Sequence, residues 1–211
     1  MKEDLLRFDN KQKYLIFDTE TEGLNLVRSR PFQVSWIIAQ GKKILERNDR
    51  YVFWSDLQMS DGAAKITKFN KAYYTKKAED PKDVWDDFSK ELYNPEYKIL
   101  GQNLLGFDVY VVNTWRKAMG LNPDYSFVER IIDTLSLERA IQNDIKKVDF
   151  EDFTFWQYRW INFFNRKMKT SQGAMLKKYG IDHDPKKLHD ALYDIEMNFE
   201  IFKKQVFSIE V

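Results

Sequence analysis

Residues 14–23 read YLIFDTETEG. Four apolar residues, Tyr14 to Phe17, run straight into Asp18, Glu20 and Glu22, an acid at every second position. Side chains two apart on a β-strand point to the same face. Asp18 and Glu20 therefore project together, just past a buried strand. Carboxylates held that close repel unless a proton or a cation sits between them. Two readings follow: a solvated strand end before a turn at Gly23, or a divalent-metal site completed from elsewhere in the chain.

Composition narrows the frame. The chain has 211 residues, 43% hydrophobic and 16% aromatic, which suits one domain over 1–211. Charged residues nearly balance at net +1, so any nucleic-acid contact is expected to be local rather than a basic coat. With no Cys, thiolate metal sites, disulfides and a thiol nucleophile are all excluded. No apolar run approaches the roughly 18 residues of a membrane span, and MKEDLLRFDNKQ lacks a signal-peptide core. The expectation is no membrane and a cytoplasmic protein, of a bacterial or phage-infected cell.

Around the opening strand (13–19), FQVSWIIAQ (32–40) reads as a second strand, with Gly41-Lys42-Lys43 turning into a third over 44–54. Asp80-Pro81 starts a helix carrying Val84, Trp85, Phe88 and Leu92 at helical spacing. YKIL (97–100) is a short strand, followed by a helix over 107–119 that Gly120 ends. RIID (130–133) is another short strand, with a helix over 134–143. A last helix aligns Leu188, Leu192, Ile195, Phe199, Phe202 and Val206 on one face. A meander of strands followed by alternating strands and helices predicts an α/β architecture, a mixed β-sheet flanked by helices.

FEDFTFWQYRWINFF (150–164) has eight aromatics in fifteen residues and looks like an aromatic-rich insertion at about 148–170. Its rings either pack inward or form a platform for stacking bases, with Arg159, Arg166, Lys167 and Lys169 near the phosphates. Two further acidic candidates are Asp108 in GQNLLGFDVY (101–110), opening a helix, and Asp194 in LHDALYDIEM (188–197). The only histidines are His183, in a polar turn, and His189. Five helical residues rotate by about 140°. His189 must therefore lie at or before the first turn to share a face with Asp194.

Taken in order, these segments resemble the DEDD exonuclease superfamily, the ribonuclease-H-like (DnaQ-like) 3′→5′ exonucleases. FDTETEGL is similar to the first motif, GQNLLGFD to the second and LHDALYD to the third, H-x4-D; IIDTLSL resembles a further family segment. His189 stands five before Asp194, while the alternative base position holds Asp190, so the chain resembles the DEDDh branch. The N-x3-F-D spacing is also similar to that of the proofreading domains of bacteriophage-type DNA polymerases. Gln102 departs from the usual His, and Glu22 from a small residue.

The resemblance implies a ribonuclease-H-like fold and a phosphodiester hydrolase using two Mg²⁺ or Mn²⁺ ions held by Asp18, Glu20, Asp108 and Asp194. His189 would be the general base. Thr19, Thr21, Leu24 and Asn103 would contact substrate. The implied substrate is a single-stranded DNA 3′ end, degraded to nucleoside 5′-monophosphates in proofreading, repair or DNA degradation. RNA, in an oligoribonuclease-like role, is the alternative; a non-catalytic nucleic-acid-binding module of the same fold is the other. A free-standing exonuclease or separate subunit is expected, and neither a polymerase partner nor self-association is readable.

Overall fold

The computed structural model describes residues 6–145, 147–149, 152–163, 165–188 and 190–209. Strand β1 (Lys13–Thr21) lies near the centre of a six-stranded sheet. It pairs antiparallel with β2 (Pro31–Gln40), which pairs antiparallel with β3 (Lys43–Val52). On its other side β1 pairs parallel with β5 (Tyr97–Gly101), and β5 with β6 (Ile131–Asp133). The two-residue β4 (Ala78–Glu79) adds to the far edge beside β3, giving the order β4-β3-β2-β1-β5-β6. The β2–β3 hairpin turns at Gly41, whose φ is 55° and where a Cβ would meet Asn10 O at 2.7 Å, so only glycine fits.

Helices cover both faces, which is why β1 reads as a continuous apolar run. Leu15 and Phe17 join Val34, Trp36 and Ile38 on one face. There they pack under α3 (Pro81–Leu92) and α4 (Asp108–Ala118) through Val84, Phe88, Val112 and Trp115. Tyr14 and Ile16 face the other way with Ile37, Leu100 and Ile132. They meet α5 (Thr134–Gln142), α6 (Phe153–Ile161) and α8 (Ala191–Gln205) through Leu137, Phe153, Ile195, Phe199 and Phe202. Asp80 caps α3 as its sequence predicts, its side chain accepting from Lys82 N at 2.8 Å. Two short helices, α1 (Asp61–Ile66) and α2 (Lys71–Lys77), fill the β3–β4 connection, and α7 (Gln172–Lys178) precedes α8. The last helix is shorter than its apolar pattern predicts: it starts at Ala191, capped by Asp190, leaving Leu188 outside it. Among the described residues no helix is long and apolar enough to cross a membrane.

The aromatic stretch is largely core. Phe153 and Trp156 are buried, with ring centroids 5.9 Å apart, and Trp160 packs partly buried against the same cluster. Gln157 is fully buried among them. Its Oε1 accepts from Asp133 N at 2.7 Å and its Nε2 donates to Ile131 O at 3.0 Å. It thus occupies the free edge of β6 as another strand would. Among the described rings of the stretch, Phe155 (66% exposed) and Phe163 (40%) are the most open to solvent. The inward reading therefore replaces the stacking platform for Trp156 and Trp160. Trp156→Ala is expected to cost about 3–5 kcal/mol of stability and to leave single-strand affinity per folded molecule unchanged. Thermal melting beside fluorescence anisotropy checks both; intact stability with lost affinity would restore the platform.

Candidate active site

The strand alternation that buries Tyr14 and Ile16 continues through Asp18 and Glu20. Both side chains line one cavity of about 470 Å³ at the end of β1. Between Glu20 and Thr21 the pairing with β2 slips by a residue, and the alternation stops there. Glu22 therefore leaves the comb. Its carboxylate accepts from Arg30 N (3.0 Å), Arg30 Nε (2.9 Å) and Gln58 N (2.9 Å), tying the 23–30 loop to residues after β3. Burial alone would raise its pKa, but the Arg30 and Gln58 bonds outweigh it and hold it low.

Helix α8 supplies the third acid of the cavity. The Asp190 side chain caps it by accepting from Tyr193 N at 3.0 Å. Asp194 then falls in the first turn, where the helix dipole favours a negative charge. Asp194, Ile195 and Asn198 form one wall. The Gly101–Asn103 turn after β5 and residues 171–173 at the head of α7 form the others. Gln172 Nε2 donates to Asp194 O at 2.8 Å and reaches Asp194 Oδ1 at 3.5 Å.

The electrostatics follow from crowding half-buried acids into one cavity. Burial, then the charge of Asp194, pushes Asp18 up to about 7. Burial, then Asp18 and Asp194, pushes Glu20 up to about 8. Among the described residues, no Lys or Arg lines the cavity. Hard oxygen donors without a balancing cation suit Mg²⁺ or Mn²⁺ by donor chemistry. Among the described residues, however, no three acids or histidines converge closely enough to form a ready coordination shell. The carboxylates share a cavity and repel across it.

The remaining predicted residues divide. Asp108 opens α4 as expected, but it does not line the cavity. It is 2% exposed, and its Oδ1 accepts from Thr19 Oγ1 at 2.6 Å and Thr19 N at 3.1 Å. Burial, then the charge of Asp18, raises its pKa well above the usual carboxylate range. Thr19 thus spends both its N–H and its hydroxyl on Asp108, and the Thr21 hydroxyl donates to Gly23 O at 2.6 Å. Neither threonine lines the cavity. Leu24 stands 82% exposed on the adjacent loop. Asn103 lines the cavity with a left-handed backbone, φ 64°. His189 lies outside the described residues; the chain places it directly before the Asp190 cap. His183 bonds the Ile181 carbonyl through Nδ1 at 2.9 Å and is not among the residues lining the cavity.

Sequence reasoning did not anticipate Gln172 or Asn198 as cavity residues, nor the work done by Asp133. Asp133 Oδ1 accepts from Asn103 N and Leu135 N, both at 3.0 Å, and its Oδ2 from Leu105 N at 3.0 Å. It therefore caps α5 and shapes the Gly101–Asn103 wall at once. An Asp-Thr pair at a helix start was the available signal for its capping role. Asn198 Oδ1 and Gln102 Oε1 are buried without a protein partner among the described residues.

The raised pKa values carry a sign. Asp18 and Glu20 bind protons more tightly folded than unfolded. In metal-free buffer their contribution is most favourable below about pH 4, and it is lost as pH rises through about 7 to 8. Each tenfold change in proton affinity is worth about 1.4 kcal/mol, and 1 kcal/mol moves the melting temperature of a chain this size by about 2–4 °C. Metal-free wild type should therefore lose several degrees more than Asp18→Asn between pH 5 and pH 8. Parallel melting curves would contradict the crowding.

The chain belongs to the RNase_T exonuclease family, which it matches over residues 15–202, and so to the DEDDh, DnaQ-like superfamily. Among solved structures it resembles exonuclease I, with a TM-score of 0.73 and 20% identity over 95% of this chain and 42% of that one. It also resembles E. coli exonuclease I in complex with a dT13 oligonucleotide (TM-score 0.71, 21% identity, 92% and 41% of the two chains). A zinc-bound E. coli exonuclease I–ssDNA complex is similar again (TM-score 0.72, 22% identity, 92% and 40%). These likenesses establish a ribonuclease-H-like fold. The chain spans about two fifths of the length of those structures. No curated protein matches it in sequence.

Proposed function

We propose that this chain is a divalent-metal-dependent 3′→5′ exonuclease that removes nucleoside 5′-monophosphates from single-stranded DNA ends. The observation that carries the reading is the meeting of Asp18, Glu20 and Asp194 in one cavity whose lining, among the described residues, includes no Lys or Arg. Asp18, Glu20 and Asp194 would hold Mg²⁺ or Mn²⁺, with Asp108 supporting through its grip on Thr19. Two such ions, when bound, relieve the charge that builds on the phosphate and on the leaving oxygen.

The chain's own residues have separable tasks. Gln172 fixes Asp194 against the α7 wall, and Asp133 fixes the Asn103 wall opposite. His189 takes the proton of the attacking water; an imidazole with an ordinary pKa near 6.5 is mostly neutral above pH 7 and usable as a base. The water oxygen forms the new bond to phosphorus. The bond to the 3′ oxygen of the penultimate nucleotide breaks, leaving a 3′-hydroxyl on the shortened strand. Leu24, exposed on the loop after β1, would meet the terminal base. The single-stranded oligonucleotides in similar structures favour DNA as substrate.

The test is digestion of 5′-labelled single strands, DNA and RNA side by side, with Mg²⁺ or Mn²⁺ and with EDTA. The expected result is a ladder shortening from the 3′ end, faster on DNA, absent in EDTA, with nucleoside 5′-monophosphates as products. Faster loss of RNA would move the reading to the exoribonuclease alternative. Full activity in EDTA, or nucleoside 3′-phosphates, would overturn it.

A further inference from the structure

Helix α1 ends in a way that its sequence makes costly. Phe69 N bonds back to Ala64 O at 3.0 Å and Thr67 N to Ala63 O at 2.9 Å, closing the helix around Lys68. Such a closure puts its middle residue in the left-handed region and is normally made by glycine. Here the residue is Lys68, with φ 53°. A long L side chain is disfavoured in that conformation. The next residue pins the turn in place: the Phe69 ring lies 5.0 Å from the buried Phe32 and 5.4 Å from Tyr74.

What the lysine gains is its position. Lys68 Nζ donates to Leu188 O at 3.1 Å, across 120 residues of chain. Leu188 lines the acidic cavity and directly precedes His189. One of the three ammonium hydrogens is thus spent on a carbonyl at the rim, and two remain on an exposed group. The surroundings are also cationic. Residues 61–77 carry five lysines against one aspartate; all five are exposed, and among the described residues none forms an ion pair. In a chain of net charge +1 this is a concentration of positive charge in the segment that reaches the cavity rim through Lys68, and among the described residues no Lys or Arg lines the cavity itself.

We propose that Lys68 positions substrate: held on Leu188 O at the cavity rim, its ammonium binds a backbone phosphate of the entering single strand, and the neighbouring lysines draw the strand to it. This rests on the reading of the cavity as a nuclease site, but strand binding can be measured without cleavage. The experiment measures fluorescence anisotropy of a labelled dT oligonucleotide with Ca²⁺ over a range of salt, beside steady-state digestion with Mg²⁺. It compares wild type, Lys68→Gly, Lys68→Arg and Lys42→Ala, the last an exposed lysine at the β2–β3 turn.

Lys68→Gly relieves the backbone, so its melting temperature should hold or rise. Its Kd and KM should rise about tenfold, the worth of a charged hydrogen bond, and its log Kd–log salt slope should become shallower by about 0.7. Lys68→Arg should keep the wild-type slope, and Lys42→Ala should match wild type throughout. Unchanged Kd and slope in Lys68→Gly, or an equal loss in Lys42→Ala, would overturn the inference while leaving the nuclease reading intact. Weakened binding in Lys68→Gly together with a wild type that cuts nothing would uphold the inference and remove the nuclease reading.

Discussion

Asp18→Asn and Asp194→Asn should each slow single-strand cleavage by about 10³-fold or more while leaving the fold in place. The two carboxylates come from different elements, β1 and the first turn of α8, and meet across one cavity. Either change removes an anionic oxygen from the acids that, among the described residues, line the cavity and could neutralise a divalent ion. Charge stabilisation at a phosphoryl centre is worth several kcal/mol, and each 1.36 kcal/mol is about tenfold in rate. The fold should not suffer, because removing one of several repelling acids relieves strain. Single-turnover rates at saturating enzyme, beside melting in metal-free buffer, read both effects. A variant that cuts at near wild-type rate would show that the cavity is not the site.

The largest stability effect is expected at Asp133, a residue outside the cavity. Its carboxylate is fully buried and accepts the main-chain N–H of Asn103, Leu105 and Leu135, with Ser136 N at 3.4 Å. Burial pushes its pKa up to about 6 although those N–H groups pull it down. Asp133→Ala would strip donors that no solvent reaches. Each buried donor left unpaired costs about 1–3 kcal/mol, so the loss should reach about 4 kcal/mol or more. Cleavage should fall too, because the released turn is the Asn103 wall of the cavity. Denaturant unfolding measures the first effect. A loss below about 1 kcal/mol would mean that the turn holds its shape without the carboxylate.

These three residues sit in segments that the sequence made legible, but for different reasons. The Asp18–Glu20 pair was readable because period-two alternation is a local property, and β1 extends far enough to include both. The hairpin at Gly41, the Asp80-Pro81 helix start and the Asp108 helix start were readable from turn and cap chemistry, which is also local. The short helices α1 and α2 were not. α1 has no buried residue, and α2 buries only Tyr74, so neither leaves an apolar stripe. The start of α8 is not legible because Leu188 continues the apolar spacing, although the helix begins only at Ala191, after the Asp190 cap. Asp108 shows a further limit. Its motif and helix position were evident, but its bond to Thr19 spans 89 residues and depends on how α4 sits over β1. The Gln172–Asp194 and Lys68–Leu188 contacts are hidden for the same reason.

The central claim is that Asp18, Glu20 and Asp194 together make a divalent-metal site. Calorimetric titration of metal-free protein with Mn²⁺ at pH 7.5 tests it most directly, with Asp18→Asn and His183→Ala as comparisons. The expected result is saturable binding of two ions with proton release, since Asp18 and Glu20 are driven up to about 7 and about 8 before metal arrives. Binding should fall at least about tenfold in Asp18→Asn and stay unchanged in His183→Ala. Equal affinity and stoichiometry in all three proteins would contradict the account.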